Sequence, residues 1–269
     1  MKRILVPTDF SPNAVKALDY AVQLAKAARA GIILIHAAEA YDQQEAMAAA
    51  RSQLELLEKS LEETEGIPVT ATVYADSSVN SIMAAVAAYK ADMIVMGTIG
   101  STGINERIFG SRTAVVIGKT SVPVLAIPLL SEWKKPEKIL LAINKFNVPD
   151  SLLAPVLKMA AIFDAVIQVT VFTDLDDDYV EDYAEHEKSI IRFRDTLQEK
   201  YPRLEIHAVH LAGKYFRETL QKWIDENKVD ILVMLTHRRT LIGSVFNSSM
   251  TKKMSYHTNI PLLAIPESV

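Results

Sequence analysis

The feature that most constrains this chain is that it repeats itself. Asp92-Met93-Ile94-Val95-Met96 returns as Asp230-Ile231-Leu232-Val233-Met234, and Val122-Pro123-Val124-Leu125-Ala126-Ile127-Pro128 returns as Ile260-Pro261-Leu262-Leu263-Ala264-Ile265-Pro266, both after 138 residues. Arg3-Ile4-Leu5-Val6 returns as Lys138-Ile139-Leu140-Leu141 after 135, so about three residues are inserted in the second half. Two copies agree with the two domains that 269 residues suggest at about 150 residues each. The polar stretch Ser131-Glu132-Trp133-Lys134-Lys135-Pro136 reads as the linker, which sets domains at 1–130 and 137–269.

Within each copy, short apolar runs alternate with helical periods. Ile4 to Val6, Ile32 to Ile35, Val69 to Val73, Met93 to Met96 and Val122 to Ile127 have the brevity and β-branching of buried parallel strands. Between them, Ser11 caps a helix that carries Pro12 at its first position and Val15, Leu18, Val22 and Ala25 on one face. A second helix carries Leu54, Leu57 and Leu61 and stops at Gly66 and Pro68; a third carries Ile82 and Val86, and a fourth covers Ala114 to Lys119. The second copy repeats the strands at Ile139 to Ile143, Ile167 to Phe172, Ile206 to Leu211, Ile231 to Leu235 and Leu262 to Ile265. Right-handed crossovers then give an α/β fold of two tandem Rossmann-like, doubly wound domains, each a five-stranded parallel sheet with flanking helices.

Composition removes several functions. A chain with 49% hydrophobic residues, 23% charged residues and no cysteine is globular, without disulfides, thiolate metal sites or a cysteine nucleophile. The net charge of −4 gives no electrostatic reason to expect nucleic acid or an anionic membrane as partner. Neither a membrane span nor a secretory leader is legible, so a cytoplasmic protein is expected.

In an open parallel sheet, ligands bind beyond the carboxyl ends of the strands. Two loops of the first copy stand there: Pro7-Thr8-Asp9-Phe10-Ser11, and the run from Gly97 through Gly100, Gly103 and Gly110 to Ser111, Arg112 and Thr113. Five of the nine glycines fall between Gly97 and Gly118. Glycine lets backbone amides approach an anion, and the following helix N-terminus attracts phosphate. A polyphosphate is the natural guest; a flexible glycine-rich surface loop is the alternative. Gly118-Lys119-Thr120 is no P-loop, because Thr113 stands where its first glycine belongs. Asp9 can accept from a ribose hydroxyl or the adenine amine, or it can cap the helix behind it.

The spacing Gly97-x2-Gly100-x9-Gly110-Ser111, with Pro-Thr-Asp-Phe-Ser after the first strand, resembles the ATP-binding subclass of the universal stress protein family. That resemblance implies ATP with Mg²⁺, Asp9 against the adenosine, Ala37 against adenine through its backbone, and Gly97, Gly100, Gly110 and Ser111 around ribose and phosphates. Pro7, Thr8, Met96, Arg112 and Thr113 would complete the walls. It further implies a stress-response protein that works as a nucleotide-gated sensor or scaffold. Its last strands, Val122 to Ile127 and Leu262 to Ile265, would pair within one chain as an internal pseudo-dimer, with a homodimer of whole chains open.

The second copy departs from the motif: Leu235, Arg238, Ser248 and Ser249 replace Gly97, Gly100, Gly110 and Ser111, and Asn144 or Lys145 replaces Asp9. One working site and one degenerate site are therefore expected. His237-Arg238-Arg239 reads as a surface loop or a grip for another anion. Asp174 with Asp176, Asp177 and Asp178 lacks the glycine of a calcium loop and reads as solvated. His207 and His210 face opposite ways on a strand, His36 reads as a hydrogen-bonded core histidine, and no metal cluster or catalytic constellation is legible. Slow hydrolysis is the most catalysis expected. A nucleotide-dependent hydrolase or transferase, and a binding module for a non-nucleotide ligand, are the other readings.

Overall fold

The computed structural model describes residues 1–38, 43–98, 111–175, 180–237 and 259–267. The first half runs β1 (Arg3–Pro7), α1 (Pro12–Ala28), β2 (Gly31–Ala37), α2 (Gln43–Glu65), β3 (Val69–Tyr74), α3 (Ser78–Tyr89), β4 (Met93–Gly97), α4 (Ser111–Lys119) and β5 (Val124–Ile127). The second runs β6 (Lys138–Ala142), α5 (Asp150–Phe163), β7 (Val166–Asp174), α6 (Val180–Lys200), β8 (Ile206–Gly213), α7 (Phe216–Asn227), β9 (Ile231–His237) and β10 (Leu262–Glu267).

The two five-stranded sheets are joined through their last strands, as the expected pairing of those strands implies. All ten strands join in the order β3-β2-β1-β4-β5-β10-β9-β6-β7-β8. Pairing is parallel within each half, and the halves meet where β5 and β10 run antiparallel, Leu125 opposite Leu263. This union removes two of the four sheet edges that separate domains would leave unpaired.

The repeated motif has a structural cause. Ahead of β4, Asp92 Oδ2 accepts the amides of Lys2 and Arg3 at 2.5 and 3.0 Å. Ahead of β9, Asp230 Oδ2 accepts those of Glu137 and Lys138 at 2.8 and 2.9 Å. Each carboxylate thus satisfies amides at the start of the neighbouring strand, which fixes an aspartate before the same apolar run in both copies.

One face of the sheet carries α1, α2, α5 and α6 over a single apolar core that runs through both halves. On the other face α3 and α4 cover one cluster and α7 another. The linker adds an aromatic wedge: Trp133 lies 5.2 Å from Tyr20 and 5.8 Å from Phe163 between ring centroids, joining α1 to α5. Val15, expected on the buried face of α1, is 51% exposed instead; Ala14, Ala17, Leu18 and Ala21 take the sheet contact, which turns Val15 outward. The extra residues of the second half lie largely beyond α6, where 201–205 replace 66–68 before β8. No helix among the described residues is long and apolar enough to cross a membrane.

Candidate functional site

The turn after β1 is built from its own side chains. Thr8 Oγ1 accepts the amide of Phe10 at 3.0 Å, Asp9 Oδ1 accepts that of Ser11 at 3.1 Å, and Ser11 Oγ accepts that of Ala14 at 3.3 Å. Ser11 is the helix cap, as its position predicts, and Asp9 holds the cap rather than being it. The chain turns because Phe10 adopts φ 58°, a left-handed conformation costing roughly 1–2 kcal/mol for a side chain. Phe10 is held there by stacking on His36, centroids 4.9 Å apart. His36 donates through Nδ1 to the Thr8 carbonyl at 2.9 Å, so this histidine braces the turn from β2.

The end of β4 is fixed from two sides. Thr113 Oγ1, on the first turn of α4, donates to the Gly97 carbonyl at 3.0 Å. The Ile127 carbonyl accepts both the Thr98 amide at 3.1 Å and Asn13 Nδ2 at 3.0 Å. A Cβ on Gly97 would stand 2.5 Å from Asn13 Oδ1 and 3.0 Å from the Asn13 carbonyl. The close approach that demands glycine here is therefore the start of α1, a requirement internal to the fold that the phosphate argument did not anticipate.

These two strand ends open into a pocket with about 680 Å³ of open space, mouth included. Eight of the expected residues line it: Pro7, Thr8 and Asp9 after β1, Ala37 at the end of β2, Met96 and Gly97 on β4, and Arg112 and Thr113 on α4. Ser111 opens α4. Gly100 and Gly110 lie outside the described residues, as do Arg238, Ser248 and Ser249 of the second copy. Sequence reasoning missed Ser11, Ala14, Ile35, Ser78 and Ile82 as lining residues, of which Ile35 of β2 and Ile82 of α3 supply an apolar wall. Ile82 was visible as a helix-face residue, but only the packing of α3 turns that face toward the pocket.

The second half fills the corresponding space. Strand register equates Ala37 with Phe172, and the twelve-residue helices α3 and α7 equate Ser78 with Phe216. Phe172 and Phe216 stack edge-on with centroids 5.0 Å apart, both nearly fully buried. Register also equates Asp9 with Asn144, which is exposed. The connection before α5 is three residues longer than that before α1, seven against four, and α5 is correspondingly shorter, 14 residues against 17. In place of the stacked Phe10, Lys145 Nζ reaches Glu267 Oε2 at 2.8 Å.

Among the described residues no group of three His, Cys, Asp or Glu converges as a metal site. His207 is exposed and pairs with Glu205, while His210 points to the opposite side of β8, as their spacing predicts.

Comparison with known proteins agrees with this architecture. Over 149 residues the chain is 30% identical to a universal stress protein of Methanocaldococcus jannaschii, covering 51% of this chain and 84% of that one. A universal stress protein structure from Archaeoglobus fulgidus superposes with a TM-score of 0.77 at 16% identity over 98% of both chains. Another, described as a putative universal stress protein of Pseudomonas aeruginosa, gives 0.71 at 17% identity over 99% of this chain and 93% of that one. The sequence model of the universal stress protein family matches residues 1–128 and again 136–266, so this chain belongs to that family and carries its fold twice.

Proposed function

We propose that the first half binds an adenine nucleotide, ATP with Mg²⁺, in the pocket at the ends of β1 and β4, and that the second half binds none. The observation that carries this reading is convergence: four segments separated by up to about a hundred residues bring Asp9, Ala37, Gly97 and Arg112 to one cavity.

The chemistry divides along the pocket. Ile35, Ile82 and Met96 offer an apolar wall of the kind a purine ring needs. The Asp9 carboxylate, fixed by the Ser11 amide, is an acceptor suited to a ribose hydroxyl. Arg112 and the first turn of α4 would meet the phosphates with a guanidinium and helix-end backbone amides. Mg²⁺ would arrive on the phosphates, since no protein cluster for it is formed among the described residues.

Among the described residues of the pocket no side chain is placed as a general base, and His36 Nδ1 is committed to Thr8. Retention of a nucleotide is the reading adopted, and its occupancy is the signal that a stress-response partner would read. In the second half, Phe172 and Phe216 occupy the place of the base wall.

Isothermal titration tests this. ATP with Mg²⁺ should bind at one equivalent per chain, and Asp9→Ala and Arg112→Ala should each weaken it about tenfold or more, the loss of one charged hydrogen bond. Two equivalents, or no binding, would overturn the assignment.

A further inference from the structure

A polar trio in the second half has no counterpart in the first. Thr173, the next-to-last residue of β7, has its hydroxyl 2.8 Å from His186 Nδ1 on α6 and 2.8 Å from His210 Nε2 on β8. The equivalent residues of the first half are Ala38, Ala50 and Val73. Register of β7 and β8 fixes two of these equivalences. A shared bond fixes the third: Glu62 on α2 and Gln198 on α6 each accept the first amide of the next strand, at Val69 and Ile206. At three places distant in sequence, apolar side chains of the first half stand where the second half has one hydroxyl bonded to two imidazoles. Buried polar groups are normally hydrogen-bonded, and here the Thr173 hydroxyl meets both imidazoles while one ring nitrogen of His210 is left over.

We propose that Thr173, His186 and His210 form a proton-operated latch, which holds the amino-terminal half of α6 against β7 and β8 while both imidazoles are neutral and releases it when they take up protons.

The hydrogen-bond inventory sets the direction. One hydroxyl has one proton, so it donates to one imidazole and accepts from the other. His210 Nδ1 is buried without a partner among the described residues. A lone pair there is cheaper than an unmet N–H, so His210 donates through Nε2 to Thr173, and Thr173 donates to His186 Nδ1. Protonating His210 places a charged N–H at the orphaned Nδ1. Protonating His186 at Nδ1 removes the acceptor and leaves the Thr173 hydroxyl proton, on a residue only 3% exposed, unmatched. Acid therefore breaks the chain from either end, and two cations would then face each other with ring centroids 6.3 Å apart.

Among the described residues, α6, the segment before α5 and β7 bring the groups that face the trio. From α6, the Tyr183 ring lies 4.3 Å from His210, and the Glu187 carboxylate draws protons toward it. From the connection before α5, Phe146 lies 6.0 Å from His186 and brings no charge. Asp174 follows Thr173 on β7, and Lys145 is taken up by Glu267. Burial, reinforced by His186, outweighs Glu187 and keeps His210 below the ordinary histidine range.

The first half is the internal control. Hydrogen exchange followed by mass spectrometry, corrected for the intrinsic pH dependence, should show α6 amides losing protection between pH 7.5 and 5.5, by up to about tenfold per pH unit for each proton bound. Amides of α2 should not. The variant Thr173→Ala/His186→Ala/His210→Val, which installs side chains the first half already packs, should fold and flatten the response. Thr173→Val alone, which keeps the shape and deletes the hydroxyl, should blunt it. Protection of α6 that is flat with pH in the native chain, or a response that survives both variants, would overturn the latch.

Discussion

Phe216 meets Phe172 edge-on at 5.0 Å, at the two positions where the first half has Ser78 and Ala37 lining an open pocket. The same fold thus holds a cavity in one copy and a packed aromatic pair in the other. Phe172→Ala should cost about 3–5 kcal/mol, the usual price of deleting a buried aromatic ring. Affinity for nucleotide at the first site should not change. Chemical denaturation and titration calorimetry on the same variant separate the two; an unaltered stability would mean the pair fills nothing.

Gly97→Ala should destabilise the chain by about 1–3 kcal/mol, because the new methyl meets Asn13 rather than empty space. Removing the obstruction with Asn13→Ala in the same chain should recover part of that loss, giving a coupling of about 0.5–3 kcal/mol in a double-mutant cycle. Additive effects of the two substitutions would contradict the contact.

Asp92 links pH to stability. Burial tends to raise its pKa, but the amides of Lys2 and Arg3 outweigh this and hold the carboxyl below its usual range. Its contribution is complete above the unfolded value of about 3.9 and is lost as pH falls through the lower folded value. Asp92→Asn should therefore be most destabilised relative to the parent near neutrality, with the gap closing in acid. Urea midpoints measured from pH 7 to pH 2 check this, and a gap independent of pH would refute it.

The linker is clasped by Tyr20, whose hydroxyl lies 2.6 Å from Ser131 Oγ and donates to the Glu132 carbonyl at 2.5 Å. Tyr20→Phe should cost about 0.5–1.5 kcal/mol for each bond lost. It should also speed proteolysis within 131–136, while leaving nucleotide affinity intact. Unchanged cleavage would show that Trp133, packed between Tyr20 and Phe163, secures the linker without help.

Much of the first-half pocket was legible because its residues sit at places that strand and helix periods define. Asp9 follows an apolar run, Gly97 ends one, and Arg112 and Thr113 start a helix, so the rule that ligands bind at strand ends suffices to gather them. Ser78 and Ile82 escaped because nothing local tells which way α3 faces. Gly97 was singled out for approach to a phosphate, whereas the close neighbour the fold supplies is Asn13, a contact that spans 84 residues of sequence. The aromatic fill of the second copy was available from the same repeat that exposed Leu235. Seeing it required equating residues at offsets of 135 and 138 in one place, which two-dimensional register supplies and a single alignment shift does not.

By itself the sequence determined the duplication, the alternation of strands and helices, and the strand ends where a ligand can enter, because periodicity and turn chemistry are local properties. Tertiary structure alone decided that Asn13 presses on Gly97, that α3 turns Ile82 toward the pocket, and that Thr173, His186 and His210 share a proton network. Those outcomes depend on which side chains from remote segments arrive at the same few ångströms, and no local preference encodes that.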